Sequence, residues 1–457
     1  MNDGQSSLLD ESVSTLPSVL IENILWRLPT EEVVRASILS KEWRYSWTKI
    51  PKVSFHEDLF DESTTENQLD VNEQEFEDLL SEKEEMRRSK FFKAINQFLL
   101  LHQGPIIDFT VCMYLSDLCI DCAELNQILH HLSRKNTVKK LCLRSSFVLP
   151  LSIFSFHQLT DLHLCNCEMY KPPTFNGFGS LTTLCLEHVK IHKDVLMHIL
   201  SNNPLIKSFT IFTGDDSSIQ KLHQDEYGFV IEDYADITVE DHGTFDELFQ
   251  LLPVIEDLTL TVWEIESFVG GVVPQKLATS LLHLKNLRLE GMSFLNHKWL
   301  RILVLMITSS PNLEKLTLEI TFEDTTTHWE NFDRFLYSVT MQDCSDIWLQ
   351  HLIELELVYN FNENDIMYER FVKLIRMEHL IEDENEDIDN TEYGESGFVN
   401  MILAKSPVLK KLRLSGYYED AKLKLVEAFL SPPPASPMLE IIGSYDEVIC
   451  ICESVNA

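Results

Sequence analysis

The sequence predicts an α/β solenoid with a parallel inner sheet, preceded by a small unit of three helices. Two observations predict the solenoid: a recurring LxxLxL phrase, and amphipathic helical runs that end in a proline shortly before it. A third observation, three closely spaced helix-start signals within residues 15–55, predicts the leading unit.

The phrase recurs nine times from residue 138 onward. It begins Val138-Leu141-Leu143, Leu159-Leu162-Leu164, Leu181-Leu184-Leu186 and Ile206-Phe209-Ile211. It continues Ile255-Leu258-Leu260, Leu284-Leu287-Leu289, Leu313-Leu316-Leu318, Leu352-Leu355-Leu357 and Leu409-Leu412-Leu414. Early spacings of 21, 22 and 25 residues are those of leucine-rich repeats, and later ones stretch irregularly to as much as 57. Period-2 alternation turns both leucines of each LxL inward on a short strand. Helical runs precede several strands: Val195-Leu196-Ile199-Leu200 before Pro204, Phe245-Leu248-Phe249-Leu252 before Pro253, and Leu300-Leu303-Val304-Ile307 before Pro311. Helix, turn, strand, repeated, predicts a curved solenoid with parallel strands inside.

The leading segment reads TLPSVLIENILWRLPTEEVVRASILSKEWRYSWTKIPKVSF. Leu16-Pro17 opens a first helix, since proline's fixed φ and missing N–H suit a first turn. Leu20, Ile21, Ile24, Leu25 and Leu28 follow at helical spacing. Pro29 breaks the run, and Thr30-Glu31-Glu32 restarts it as a cap with acids in the first turn. Ser40 is placed to cap a third helix carrying Trp43 and Trp47. So small a unit cannot bury this apolar surface alone. It needs a partner.

Leu16-Pro17, Ile24-Leu25, Leu28-Pro29, Val33-Val34-Arg35-Ala36-Ser37, Ser40-Lys41, Trp43-Arg44 and Trp47, in that order, resemble an F-box of the kind found in flowering-plant F-box proteins with leucine-rich repeats. The C-terminal stretches HLIELELVYNFNEND, GFVNMILAKSPVLKKLRLSG and AKLKLVEAFLSPPPASPMLEII resemble the FBD domain of the same plant family. The resemblance implies a docking surface for the Skp adaptor, and through it cullin, formed by Leu16, Pro17, Leu20, Ile21, Ile24, Leu25, Leu28, Pro29, Val34 and Trp43. It implies no catalytic residues. Some hormone-sensing relatives hold an inositol polyphosphate on a basic cluster, but the inner strands here carry no comparable concentration of lysine and arginine, so no cofactor is assigned. The expected organisation is a flexible N-terminus (1–12), F-box (13–55), acidic linker (56–88), repeat solenoid (89–348), FBD-like repeats (349–447) with an acidic insert at 378–396, and a tail (448–457).

Charge bounds the partners. The formal net charge is -36 over 457 residues, and two runs carry much of it. Residues 57–85 hold 13 acids and one lysine, and residues 378–396 hold nine acids with no lysine or arginine. Such tracts are expected as solvated inserts, and the sign argues against nucleic-acid binding. Residues 1–19 lack a basic region followed by an apolar core, and no apolar run reaches membrane-spanning length. With no export signal the ten cysteines read as reduced thiols, and the expected residence is nucleus or cytoplasm, away from membranes.

No motif for hydrolysis, phosphate binding or metalloprotease chemistry occurs. Cys119 and Cys122 form a lone CxxC without a second pair. The middle residues of the first three LxL strands, Cys142, His163 and Cys185, form a column of potential soft-metal ligands. Nothing in the sequence supplies orienting partners for them, so no metal is assigned. The solvent-side positions of the strands instead predict a protein-binding face, with Arg144, His163, Glu187, Phe212, Arg288, Glu290, Lys315 and Glu319 as candidate target contacts. The predicted function is a non-catalytic target receptor of a Skp–cullin–F-box ubiquitin ligase. The alternative is a repeat scaffold acting outside any ligase, and the target protein is unnamed in either case.

Overall fold

A computed structural model of the chain describes residues 17–28, 30–36, 43–60, 73–113, 123–144, 148–170, 175–212, 245–261, 274, 276–292, 297–321, 349–359, 395–416, 434–436, 438–443 and 448–453. It forms two compact units, Met1–Leu205 and Ile206–Ala457.

The first unit opens with α1 (Ser18–Leu25), α2 (Thr30–Ala36) and a 3-10 helix, Trp43–Lys49. Then come β1 (Lys52–His56), α3 (Glu73–Leu101), β2 (Asp108–Cys112), α4 (Ala123–Lys135), β3 (Lys140–Arg144) and β4 (Asp161–Cys165). It continues with β5 (Glu168–Met169), β6 (Thr183–Glu187), β7 (Lys190–Ile191) and α5 (Lys193–Ser201). Strands β1, β2, β3, β4 and β6 pair in parallel in that order, and β5 and β7 form a small separate ribbon. The register lines up Val53, Phe109, Leu141, Leu162 and Leu184 in one inward row. Phe55, Val111, Leu143, Leu164 and Leu186 form the second, and all ten side chains are buried. One carbonyl before each strand accepts two N–H groups from the next turn. Pro51 O takes those of Ile107 and Asp108, Ile107 O those of Lys139 and Lys140, and Lys139 O those of Thr160 and Asp161.

The same rung recurs in the second unit, where Lys207 O accepts from Glu256 and Asp257, and Glu314 O from Ile353 and Glu354. Its elements are β8 (Ser208–Phe212), α6 (Phe245–Gln250), β9 (Asp257–Thr261), β10 (Asn286–Met292), α7 (His297–Ser309) and β11 (Lys315–Ile320). They are followed by β12 (Glu354–Tyr359), α8 (Glu395–Lys405), β13 (Lys411–Ser415), β14 (Met438–Ile442) and β15 (Val448–Glu453). Strands β8 to β14 pair in parallel in sequence order. The three proline-terminated helical runs are α5, α6 and α7, as their periodicity predicts. The α/β class therefore holds in each unit.

Several boundaries differ from expectation. The stacking begins at Lys52, not after residue 88, because Val53-Ser54-Phe55 and Phe109-Thr110-Val111 carry the inward beat with valine and phenylalanine in place of leucine. The expected acidic linker is helical from Glu73. Its far half supplies an apolar stripe, Phe91, Phe92, Ile95, Phe98 and Leu99, which packs inward and anchors the helix. Glu57, counted with the solvated acids, is buried, and Arg87 Nε lies 3.2 Å from its carboxylate. The expected tail contains β15, antiparallel to β14, which pairs the last parallel strand. The third leading helix is 3-10 in form. The proposed cap Ser40, the CxxC pair, the weak strand at residues 237–239 and most of the insert at 378–396 lie outside the described residues.

The three-helix segment has no leash. Gln103 N and Gly104 N donate to Thr48 O at 2.8 and 3.1 Å. Trp47 and Phe55 both meet Phe98, at ring-centroid separations of 5.2 and 5.4 Å. His102 stacks on Phe98 and its Nε2–H donates to Ile50 O at 2.9 Å. Desolvation of its ring, aided by the Lys135 charge, holds its pKa below the ordinary histidine value despite that hydrogen bond. The unfolded chain therefore binds this proton more readily than the folded one. The neutral ring's contribution is fully present above about pH 6.5 and is lost as pH falls below it. We expect the melting temperature to decline between pH 7 and 5, and the decline to be smaller in His102→Gln, measured by circular dichroism melts at each pH.

Candidate functional site

Helix α1 is too short to be stable alone, so its two faces have to be satisfied by packing. Ile21 and Leu25 are 2% and 1% exposed and point into the first unit, together with Val33 of α2. The other face is open: Leu20 and Ile24, one turn apart, are 48% and 41% exposed, and Leu28 and Val34 join them at 38% and 41%. Pro17 is also exposed. Of the expected adaptor contacts, Ile21, Leu25 and Trp43 are therefore corrected to internal packing. Their periodicity is the same as that of the outward set, and only the position of β1 and the 3-10 helix tells the two stripes apart. Leu16 and Pro29 lie outside the described residues. Trp26 and Tyr45, missing from the expected set, are strongly exposed. Their signal in the sequence was aromatic character beside the apolar stripe.

On the sheet of the first unit, the outward side chains of β3, β4 and β6 fall into rows. The register sets Cys142 beside His163 and His163 beside Cys185, as the LxL alignment predicts. The next row is Arg144, Cys165 and Glu187. Alternation along β6 puts Glu187 on the same side as Cys185, and its carboxylate reaches both neighbours. Glu187 Oε1 is 3.1 Å from His163 Nε2 and 3.5 Å from Cys185 Sγ, while Arg144 stands 3.6 Å from Oε2. Cys142 Sγ is 3.7 Å from the opposite ring nitrogen, His163 Nδ1. Burial opposes ionisation of Glu187, but His163 and Arg144 outweigh it and keep its pKa below the ordinary carboxylate value. Desolvation pushes the Cys142 and Cys185 thiols up to about 12, so both are protonated at neutral pH. Arg144, His163 and Glu187 of the expected target-binding set are thus brought together, half-buried. Sequence reasoning placed the column but missed the carboxylate and guanidinium that orient it, since they come from the adjoining row.

In the second unit the expected contacts are tied to one another. Arg288 of β10 pairs with Glu290 of its own strand, and its other nitrogen lies 3.1 Å from Glu319 of β11. Lys315 bridges Glu354 at 2.9 Å and Glu356 at 3.0 Å, and Arg413 of β13 also reaches Glu354 at 3.1 Å. The Thr317 hydroxyl donates to Glu356. Burial works against the Arg288 and Lys315 cations, yet the surrounding carboxylates outweigh it and raise both pKa values. Phe212 ends β8 half-buried. Arg288→Glu with Lys315→Glu would set two further carboxylates against four existing ones. Because the cations are more than a third exposed, screening limits the cost to about 1–3 kcal/mol. A lowered melting temperature that recovers partly in high salt is the expected result.

Residues 13–54 match the F-box domain family, and residues 125–251 match the family described as FBD-associated F-box protein At5g56370, LRR repeats. The chain is 26% identical to F-box/FBD/LRR-repeat protein At1g13570 of Arabidopsis thaliana, over 95% of this chain and 98% of that protein. It is 23% identical to F-box/FBD/LRR-repeat protein At3g26920 of the same plant, over 69% of this chain and 76% of the relative. To F-box/FBD/LRR-repeat protein At3g52680, also of Arabidopsis thaliana, it is 25% identical over 67% of this chain and 71% of that one. An F-box match on the three-helix segment, a repeat match on the parallel strands, and relatives named for both modules agree with the residues read above. The chain thus carries an F-box and FBD-associated leucine-rich repeats, and along most of its length it is similar to plant F-box/FBD/LRR-repeat proteins.

Proposed function

We propose that this protein is the target-recognition subunit of a Skp–cullin–F-box ubiquitin ligase, working in the nucleus, the cytoplasm or both. The observation that carries the reading is the open apolar face of the F-box. Leu20, Ile24, Leu28 and Val34 remain exposed although the opposite sides of the same helices are fully packed. Exposed aliphatics clustered on one short segment mark a partner surface. The partner proposed is the Skp adaptor, with cullin reached through it.

The junction described above gives this arrangement its mechanical use. The F-box leads through Ile50 and Pro51 directly into β1, and Trp47, Phe55, Phe98 and His102 pack the two parts into one core. A target held on the strands of the first unit therefore keeps a defined position relative to the adaptor. Tethering then raises the effective concentration of target lysines at the ubiquitin-loaded enzyme, and the receptor performs no covalent step itself. Co-expression of the full chain with the adaptor tests this: a stable complex in gel filtration supports it. If purified, folded protein never captures the adaptor, the scaffold alternative takes its place.

A further inference from the structure

The trio on β4 and β6 of the first unit lies outside the three-helix segment, and its geometry points to a ligand of its own. We propose that His163, Cys185 and Glu187 bind one zinc-class divalent cation on the outward face of the sheet. Among the described residues this is the cluster whose histidine nitrogen, thiol sulfur and carboxylate oxygen lie within 4.8 Å of one another. Zinc sits about 2.0–2.1 Å from nitrogen or oxygen and about 2.3 Å from sulfur. The edges of a tetrahedron with those radii are roughly 3.3–3.7 Å. The observed edges from Glu187 Oε1 are 3.1 Å to His163 Nε2 and 3.5 Å to Cys185 Sγ. One oxygen thus stands at near-ligand spacing from both other donors, and modest side-chain rotation closes the third edge.

The surroundings orient each donor. Arg144 holds Oε2 of Glu187, which leaves Oε1 turned toward the other two donors. Cys142 occupies Nδ1 of His163, so the ring presents Nε2, a buried atom that faces Glu187 Oε1 at 3.1 Å. A partner on the far nitrogen and a clamp on the far oxygen are what a metal-binding imidazole and carboxylate require. Mixed nitrogen, sulfur and oxygen donors select zinc and its neighbours over magnesium or calcium, which prefer oxygen alone. On binding, Cys185 releases its proton to solvent, and the resulting thiolate and the Glu187 carboxylate balance the two positive charges. Three protein ligands leave the fourth position for water or for a side chain of a bound protein.

Cobalt(II) titration of the full-length protein, purified under reducing conditions and stripped with chelator, reads this directly. The expected result is one cobalt per chain with a sulfur-to-cobalt charge-transfer absorption that zinc abolishes and magnesium does not. Cys185→Ser should remove the band. His163→Gln and Glu187→Gln should each weaken binding at least about tenfold. Zinc should raise the melting temperature of the parent protein and leave that of Cys185→Ser unchanged. No stoichiometric cobalt in the parent overturns the proposal. So does a band that survives in Cys185→Ser but vanishes in Cys119→Ser with Cys122→Ser. Should Cys185→Ser fail to fold without metal, Glu187→Gln carries the test, and undiminished affinity there overturns it equally.

Discussion

Replacing Leu20 and Ile24 together by aspartate is expected to abolish capture of the Skp adaptor while leaving the fold intact. Both side chains are more than 40% exposed and stand one turn apart on α1, so neither contributes much to the packed core. At an apolar interface each would bury a carboxylate without a partner, which costs several kcal/mol apiece. A loss of at least about 100-fold in affinity follows, since every 1.4 kcal/mol is about tenfold. Leu25→Ala is the contrasting variant. Leu25 is 1% exposed, so truncation should cost about 2–5 kcal/mol of stability and disturb the adaptor surface only by loosening it. Biolayer interferometry against purified adaptor, paired with thermal melts, separates the two effects. Unchanged affinity in the double aspartate variant would remove the open face of α1 from the adaptor contact.

Gly416→Ala is expected to destabilise the second unit by about 3–5 kcal/mol. Gly416 follows β13 with φ at +76°, and a Cβ there would stand 1.9 Å from the carbonyl oxygen of Tyr359, the buried residue that ends β12. Two adjacent strands would have to separate to admit it. Gly179 provides the comparison, because its φ of +75° is nearly identical while the nearest atom to an added Cβ is His157 O at 3.5 Å. Gly179→Ala should therefore cost only the conformational strain of the left-handed region, about 1–2 kcal/mol. Scanning calorimetry of the two variants would show a clearly larger shift for Gly416→Ala. Equal shifts would mean that strain, not the contact with Tyr359, sets the cost.

Most of the architecture was legible in the sequence because it is periodic. Each LxL places two leucines on one side of a strand, so nine of the parallel strands could be read without knowing their neighbours. The strands that escaped, β1 and β2, obey the same alternation with valine and phenylalanine. Their burial depends on pairing with a segment more than fifty residues away, which no local pattern reports. The helix from Glu73 was masked in a similar way. Charge in its first half suggested solvation, and the apolar stripe that anchors it begins only at Phe91.

The sequence by itself determined the solenoid class, the F-box and the stripe of aliphatics that serves it, because helical and strand periodicities are properties of the chain alone. Only the tertiary structure decided which half of that stripe faces solvent, since Leu20 and Leu25 differ in burial solely through what packs against α1. It also decided that Arg288 and Lys315 spend their charge on neighbouring strands, and that Glu187 completes a donor set with His163 and Cys185. For the charges and the donor set the physical reason is the same. Parallel pairing brings together side chains 20 to 40 residues apart, and the chemistry of such a row exists only once the register is set.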